Sequence, residues 1–181
     1  MRKIAFLLIL LAPLAAQAGT PAQSPLDKLF GELKQAGSPE DAKPLEDRIG
    51  GYFAQSGSAS VELLMTRAQA ALGANDKDTA KKLLDAITAV APSYAEGWHA
   101  RATLQHQNGD DSGAMVSLEH VILLNPRQFA AMYELGNLLE DYGNKPAALK
   151  LYRKALELDP QLEGAQRHVD ALAREVEGQG I

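Results

Sequence analysis

The chain of 181 residues contains no cysteine and a single tryptophan, and aromatic residues make up only 6% of it. Without cysteine it can form no disulfide, carry out no thiol catalysis, build no CxxC zinc site and accept no lipid on an N-terminal cysteine. It has no basic run, and its net charge of −5 opposes non-specific binding to nucleic acid. A glycine-rich phosphate loop and an alternating strand pattern are also missing, so a sheet-borne active site has no place to form.

Long apolar runs are missing too, except at the start of the chain. A basic Met1-Arg2-Lys3 is followed by an apolar stretch over 4–16 and by the small-x-small sequence Ala16-Gln17-Ala18. The stretch is shorter than the ~20 apolar residues that a membrane span needs, and Pro13 interrupts it. This pattern is typical of a secretory signal peptide, residues 1–18, that is cleaved after Ala18.

Cleavage there would leave 163 residues and lower the net charge to −7, because Arg2 and Lys3 would be lost. We therefore expect an acidic, cysteine-free protein that is exported to the bacterial periplasm. We expect no membrane insertion after cleavage. Export from a eukaryotic cell remains an alternative.

Three prolines at intervals of 34 residues, Pro92, Pro126 and Pro160, mark an internal repeat. A fixed period of this length indicates a stacked helical array. The blocks align column by column without an insertion, as Leu64/Trp98/Met132, Ala68/Ala102/Gly136, Asn75/Gly109/Gly143, Ala80/Ala114/Ala148, Leu84/Leu118/Tyr152 and Ile87/Val121/Ala155.

These columns predict two packed helices in each block. A large apolar residue followed four positions later by Ala or Gly allows close helix approach, and the Asn/Gly/Gly column suits a left-handed helix terminus. The later columns form an apolar stripe at the helical period, and the proline then ends the second helix. Each block is predicted to be a helix, a tight turn, a second helix and a stop.

The chain therefore resembles the tetratricopeptide repeat family. The third block, 129–162, carries nearly every signature residue of that family, whereas the second, 95–128, has Gln105 and Leu118 where aromatic residues are frequent. The first block, 61–94, is the weakest match. The resemblance covers about 102 of 181 residues. It implies an all-α fold, an α-solenoid of antiparallel helix pairs with three regular repeat units.

The flanking segments are predicted to extend this array. After a flexible leader at 19–24, residues 25–57 form a degenerate N-terminal helix pair, with helices at 25–36 and 39–54, which we interpret as a leading repeat. The array with its capping helix covers 58–177. The capping helix itself spans 162–176 and shows a polar outer face, as terminal repeats require. Residues 178–181 are expected to fray.

Candidate catalytic chemistry is limited to four histidines, His99, His106, His120 and His168. His99 and His106 would lie on one helix face, ~10.5 Å apart along the axis, and so could not share a metal ion. We therefore predict no enzyme activity, no metal site and no cofactor. Histidines that are solvated or hydrogen-bonded at the surface explain the pattern better.

The family resemblance implies a working surface on the inner, concave face of the array, which the first helix of each pair lines. Residues 62, 65, 66 and 69 of the first block would face this groove. The candidate peptide-binding residues are Glu96, His99, Thr103, His106, Tyr133, Glu134, Asn137 and Arg167. The alternative is that these residues are simply the solvated faces of helices.

A variant of the family binds a peptide C-terminal carboxylate through Lys, Asn and Arg. Here Asn137 has a suitable place, but Met65, His99 and Tyr133 stand where basic residues would be expected. The acidic groove instead favours a neutral or basic ligand segment.

The resemblance thus implies a non-enzymatic protein–protein interaction module, a periplasmic adaptor or assembly factor for a protein or peptide of the cell envelope. The alternatives are a structural subunit of a larger envelope complex, and an enzyme or metal carrier that uses the groove histidines.

Overall fold

The computed structural model describes residues 24–178. The predicted signal peptide, most of the leader and the last three residues lie outside that range. The described part is helical and contains no strand, in agreement with the predicted all-α fold. Its helices in chain order are α1 (Pro25–Leu33), α2 (Pro39–Phe53), α3 (Ala59–Gly73), α4 (Lys77–Val90), α5 (Ala95–Gln107), α6 (Asp111–Leu124), α7 (Phe129–Asp141), α8 (Lys145–Leu158) and α9 (Ala165–Val176). None of these helices is both long and apolar enough to cross a membrane.

The turn within each repeat has the geometry that the Asn/Gly/Gly column predicts. Asn75, Gly109 and Gly143 have φ angles of 57°, 76° and 80°, in the left-handed region where glycine carries no steric cost. Directly after the first two of these turns, Asp76 and Asp110 cap α4 and α6, each accepting a 3.0 Å hydrogen bond from the backbone N–H three residues later. The turn chemistry therefore sets where each second helix begins.

Close contacts at small residues hold successive helices together. A Cβ atom added at Gly97 would meet the Ile87 side chain at 2.7 Å, which shows how tightly α5 packs on α4 of the preceding repeat. Within the third repeat, a Cβ at Gly136 would meet the Tyr152 ring at 2.6 Å. Repeats one to three are therefore a continuous stack, α3–α4, α5–α6 and α7–α8, with α9 packed on α8.

The N-terminal hairpin, α1 with α2, is present as predicted but occupies a different place. Its apolar residues share a hydrophobic core with the third repeat, where Phe30 meets Phe129 edge-on with ring centroids 6.3 Å apart. The Arg127 guanidinium lies 3.8 Å over the Phe30 ring and donates to Asp27 at 2.6 Å. The interpretation of this pair as a leading repeat is therefore wrong, because the apolar face of the hairpin is buried against repeat three.

The loop over 54–58 connects the hairpin, which packs on repeat three, to α3 of repeat one. α2 ends at Phe53, the Ala54 carbonyl accepts a 2.7 Å hydrogen bond from the Tyr94 hydroxyl, and Gly57 has a φ angle of 71°. At its other end, α2 begins close to the α8–α9 connection, where the Gln161 side chain donates to the Ala36 carbonyl at 3.1 Å. The hairpin therefore reaches from the C-terminal end of the array back to the first two repeats.

The capping helix starts later than predicted. Gly164, with a φ angle of 82°, interrupts the chain before α9, so that the helix begins at Ala165 rather than at Leu162. Its inner face carries the buried Leu172 and the half-buried Val169 against α8. Its outer face is charged, as a terminal helix requires.

Candidate functional site

A cavity of about 190 Å³ lies between α5, α6 and α7, in the middle of the array. Its floor is apolar and its rim is polar. The floor consists of Ala102, Ala114, Leu118 and Leu138, and the rim of Thr103, His106, Glu134, Asn137 and Asp141. Four of the predicted groove residues thus surround one cavity, namely Thr103, His106, Glu134 and Asn137.

Glu96, His99 and Glu134 form a charged cluster beside this cavity. His99 is only 16% exposed, and its Nε2 lies 3.0 Å from Glu134 Oε1, across the boundary between repeats two and three. Its Nδ1 lies 3.7 Å from Glu96. Burial disfavours the charged imidazolium, but the hydrogen bonds and negative charges of Glu134 and Glu96 outweigh this effect and raise the pKa of His99 to about 10.

A protonated His99 donates from both ring nitrogens. The side-chain amide nitrogen of Gln128 lies 3.5 Å from His99 Nδ1 and also 3.5 Å from Glu96 Oε2, to which it donates. His99 is therefore a fixed positive charge that joins repeat two to repeat three. It is a far more constrained group than the surface histidine that the sequence predicts.

Tyr133 and Asn137 belong to a second network, centred on the buried Tyr152. The Tyr152 hydroxyl lies 2.7 Å from Asn137 Oδ1 and 2.8 Å from Glu140 Oε2, so that its single proton lies between two acceptors, and Glu140 also pairs with His168. Burial first, and then Glu140, raises the pKa of the Tyr152 hydroxyl. Because Tyr133 packs against both the Tyr152 and His168 rings, much of its predicted contact surface is used inside the protein.

The remaining predicted groove positions differ from one another. Arg167 lies exposed on α9, at the edge of a depression next to Gly164 and the start of α2. Glu62, Thr66 and Gln69 are exposed on α3. Met65 is only 6% exposed and lies in the core of the first repeat, so its assignment to the groove is wrong. Its unbranched thioether side chain packs inward with the neighbouring apolar residues.

The hairpin covers one end of the predicted groove. A cleft of about 340 Å³ separates α2 from the first turns of α5 and α7, and residues of all three helices line it. On the array side, Glu96, His99 and Phe129 face this cleft, and on α2 Lys43 and Ile49 do so. The open part of the groove is therefore its other half, where the central cavity lies.

The other histidines pair with carboxylates or stack on aromatic rings. His106 Nδ1 lies 2.6 Å from Asp111, and this hydrogen bond lowers the pKa of Asp111. His120 stacks on Trp98 with ring centroids 4.3 Å apart. Over residues 24–178, no group of three or more ligating side chains could hold a metal ion. The absence of a metal site and of a cofactor stays a prediction.

The floor of the cavity is what the sequence reasoning missed. The sequence identifies Leu118 as part of an apolar column and as a departure from the aromatic residue that is frequent there, but it does not point to a cavity. The signal that could have revealed the cavity is the column itself, because Leu118 stands where repeat three has the bulkier Tyr152.

The comparisons with known proteins agree with this geometry. Residues 129–162 and 65–119 match two sequence profiles described as tetratricopeptide repeat. A TPR repeat-containing protein of Rhizobium etli is 34% identical over 161 residues, which cover 89% of this chain and 79% of the relative. The chain therefore belongs to the tetratricopeptide repeat family.

Solved structures with low sequence identity share the fold. One is an O-GlcNAc transferase of Thermobaculum terrenum, at 23% identity and a TM-score of 0.56; the match covers 64% of this chain but spans only 22% of that protein. Another is the Yersinia enterocolitica type III secretion chaperone SycD in complex with a peptide of the translocator YopD. It matches at 14% identity and a TM-score of 0.59, covering 65% of this chain and 95% of that protein.

Proposed function

We propose that the protein is an exported adaptor or assembly factor, without catalytic activity, that holds a segment of a partner protein in the open half of its concave groove. The observation that carries this proposal is the central cavity, whose buried apolar floor lies beneath a rim of hydrogen-bonding side chains. Such a combination suits a peptide, since the floor can bury a side chain while the rim pairs with the backbone.

Two further observations support this function. Side-chain hydrogen bonds hold the walls of the groove together, because the clusters around His99 and Tyr152 join the first helices of repeats two and three to their neighbours. A structural neighbour, the chaperone SycD, was solved in complex with a peptide of another protein. A pre-formed groove of this kind binds with little ordering cost.

Affinity capture from the cell envelope of the native organism tests this proposal. Thr103 is exposed on the rim, and its hydroxyl donates only to its own helix, to the His99 carbonyl at 3.2 Å. We expect Thr103→Arg to block the groove without disturbing the core and to abolish capture. Thr79→Arg, the same change at an exposed position on α4, is the matched control and should leave capture intact. Capture that survives Thr103→Arg but not Thr79→Arg would place the binding site on the outer face.

Export is the second part of the proposal and has its own test. The basic start, the short apolar run and the Ala16-Gln17-Ala18 site support a mature protein that begins at Gly19 in the periplasm. N-terminal sequencing of the protein recovered from the periplasmic fraction should give Gly19 as the first residue. Recovery of the protein from the cytoplasm with Met1 and the apolar run still attached would disprove export.

A second candidate function, a structural subunit of a larger envelope complex, is favoured by the outer face of α3. Leu63 is 53% exposed, whereas its equivalents Gly97 and Ala131 are buried against the second helix of the preceding repeat. A helix of another subunit could extend the stack at this end. Mass measurement of the purified complex, with and without Leu63→Asp, separates this function from peptide binding.

A further inference from the structure

The central cavity has an equivalent place in repeat three, which the chain fills with its own side chain. One period of 34 residues relates Ala102 to Gly136, Leu118 to Tyr152 and Glu134 to His168. In repeat three the Tyr152 ring lies against Gly136, and the His168 ring lies 4.8 Å from it. In repeat two, the smaller Leu118 leaves the same place open as the cavity of about 190 Å³.

The polar rim repeats in the same way. Asn137 and Glu140 lie within hydrogen-bond distance of the Tyr152 hydroxyl, and one period earlier their equivalents are Thr103 and His106, both of which line the cavity. Repeat three therefore displays, inside the protein, an aromatic ring seated on an apolar floor with its hydroxyl at a polar rim. Aromatic side chains combine a large apolar body with such a polar edge.

We propose that the cavity of repeat two binds an aromatic side chain of the partner, preferably a tyrosine. The ring of this tyrosine takes the position that the Tyr152 ring has in repeat three. This inference rests on the proposed function, because it names the side chain that the groove recognises. Tyrosine is among the residues that most often dominate binding energy at protein interfaces.

The charges around the cavity indicate the residue next to that tyrosine. Asp141 lies on the rim, and Asp111 is close by, where it accepts a 3.1 Å hydrogen bond from Tyr142. Asp111 also pairs with His106, and Glu140, the residue before Asp141, pairs with His168. A partner segment with Lys or Arg beside its aromatic residue complements this field.

Two blocked dipeptides of equal charge test the preference for a ring. The probes are N-acetyl-tyrosyl-arginine amide and N-acetyl-leucyl-arginine amide, titrated into the protein with ¹³C-labelled Leu and Ala methyl groups. We expect the tyrosyl probe to shift the Leu118, Leu138 and Ala102 methyl signals saturably, with an affinity about tenfold above that of the leucyl probe. No saturable shift, or equal affinity for both probes, would overturn the proposal.

A variant that fills the cavity provides the second part of this test. Ala102→Gly combined with Leu118→Tyr reproduces the Gly136–Tyr152 pair; the glycine is needed because a Cβ would clash with the ring. This double variant should fold with unchanged melting temperature and lose the response of Leu138 to the tyrosyl probe. An unchanged response in the folded variant contradicts the proposal. If the variant does not fold, the two-probe comparison on the wild-type protein still decides.

The same double variant separates this inference from the function on which it rests. If the wild-type protein captures an envelope partner and the double variant still does so with equal affinity, the aromatic pocket is wrong while groove binding stands. If the wild-type protein captures no partner, the proposed function fails. The dipeptide titration still reports on the pocket in that case.

Discussion

At the scale of single residues, His99 shows how one side chain links two repeats. It is buried between two carboxylates, one on its own helix and one on α7, and the pair with Glu134 crosses the seam between repeats. A buried charge is tolerated only when it is paired and hydrogen-bonded, and His99 meets both conditions. Its equivalents in the other repeats are Met65 and Tyr133, so this charged link occurs once among the three seam positions.

Loss of the His99 charge at high pH should destabilise the protein. Its pKa is about 10 in the folded state against 6.5 for an ordinary histidine, so the stabilisation is complete below pH ~6.5 and is lost as the pH rises through 10. Because hydrogen bonds to charged groups contribute ~1.5–3 kcal/mol, we expect the wild-type protein to lose that much more stability than His99→Gln between pH 6.5 and 10. Urea unfolding at several pH values measures this difference, with His120→Gln as the control. Parallel pH profiles for wild type and His99→Gln would contradict a protonated His99.

Asp159 is the opposite case, a fully buried carboxylate with one unpaired oxygen. Its Oδ1 accepts from the Gln161 N–H at 3.0 Å, but Oδ2 has no hydrogen-bond donor, and Glu46 of α2 is a neighbouring negative charge. Burial, and then the charge of Glu46, raises the pKa of Asp159 to about 6. Two ionised carboxylates cannot donate to each other, so a shared proton is needed to join them.

Asp159→Asn should therefore stabilise the protein at pH 7. A carboxyl whose folded pKa is raised costs stability above that pKa, and the cost disappears as the pH falls from about 6 towards 3.8. Asparagine keeps the oxygen that Gln161 uses and adds a donor for Glu46, so we expect a gain of ~1–3 kcal/mol at pH 7 and a smaller gain at pH 4.5. Asp47→Asn, on the exposed side of α2, is the control. A loss of stability at pH 7 would show that the negative charge of Asp159 is needed.

At the scale of elements, the N-terminal hairpin is the part whose position decides the shape of the groove. Its burial against repeat three rests on few large side chains, above all Phe30, which is 4% exposed between Phe53 and Phe129. Since α2 lines the cleft over the first turns of α5 and α7, undocking of the hairpin would lengthen the open groove.

Phe30→Ala should loosen the hairpin and the third repeat together. Removal of a buried phenylalanine costs ~3–5 kcal/mol, and here the lost contacts lie on α7 and α8 rather than on α3. Hydrogen exchange should rise in α1, α2 and the first turn of α7. The exposed Lys28→Ala on the same helix should change little, because such surface substitutions stay within about ±0.5 kcal/mol. Faster exchange in α3 with no change in α7 would show that the hairpin stacks as a leading repeat.

At the scale of the whole molecule, neighbouring helices cover the three repeats to different extents. Repeat three is covered by the hairpin, by α6 and by α9, whereas the described residues place no helix on the outer face of α3. The stability of a repeat array is approximately a sum over units and their neighbours. A unit with fewer neighbours should open more easily.

Native-state hydrogen exchange should therefore show α3 opening first and α7 and α8 last. Local opening free energies range from ~0 to the global unfolding free energy, and we place α3 near the lower end and repeat three near the upper end. Ile87→Ala, at a fully buried position of α4, should lower the protection of repeat one more than that of repeat three. Equal protection of α3 and α7 would mean that a partner or second copy covers α3 in solution.

Much of this architecture could be predicted because the features that define a repeat lie close together in the sequence. The 34-residue period, the small residues at the seams and the left-handed turns act within one helix pair, so aligned columns were enough to find the helices and the family. The helix ends were placed within a few residues, except where Gly164 delays α9. The groove residues were predicted from the family resemblance, and the assignment of Met65 was wrong because the resemblance does not tell whether an apolar side chain packs into the core.

The sequence by itself determined the repeat, the helix pairs and the absence of cysteine chemistry, since each depends on residue type and on spacing over a few turns. Only the tertiary structure decided where the N-terminal hairpin binds, because its apolar face fits both a leading repeat and the flank of repeat three, and long-range packing around Phe30 and Phe129 selects the latter. The tertiary structure also decided the charge of His99 and the opening of the central cavity. Both depend on side chains from different repeats that meet only when the array is stacked, Glu134 against His99 and Leu138 above Leu118.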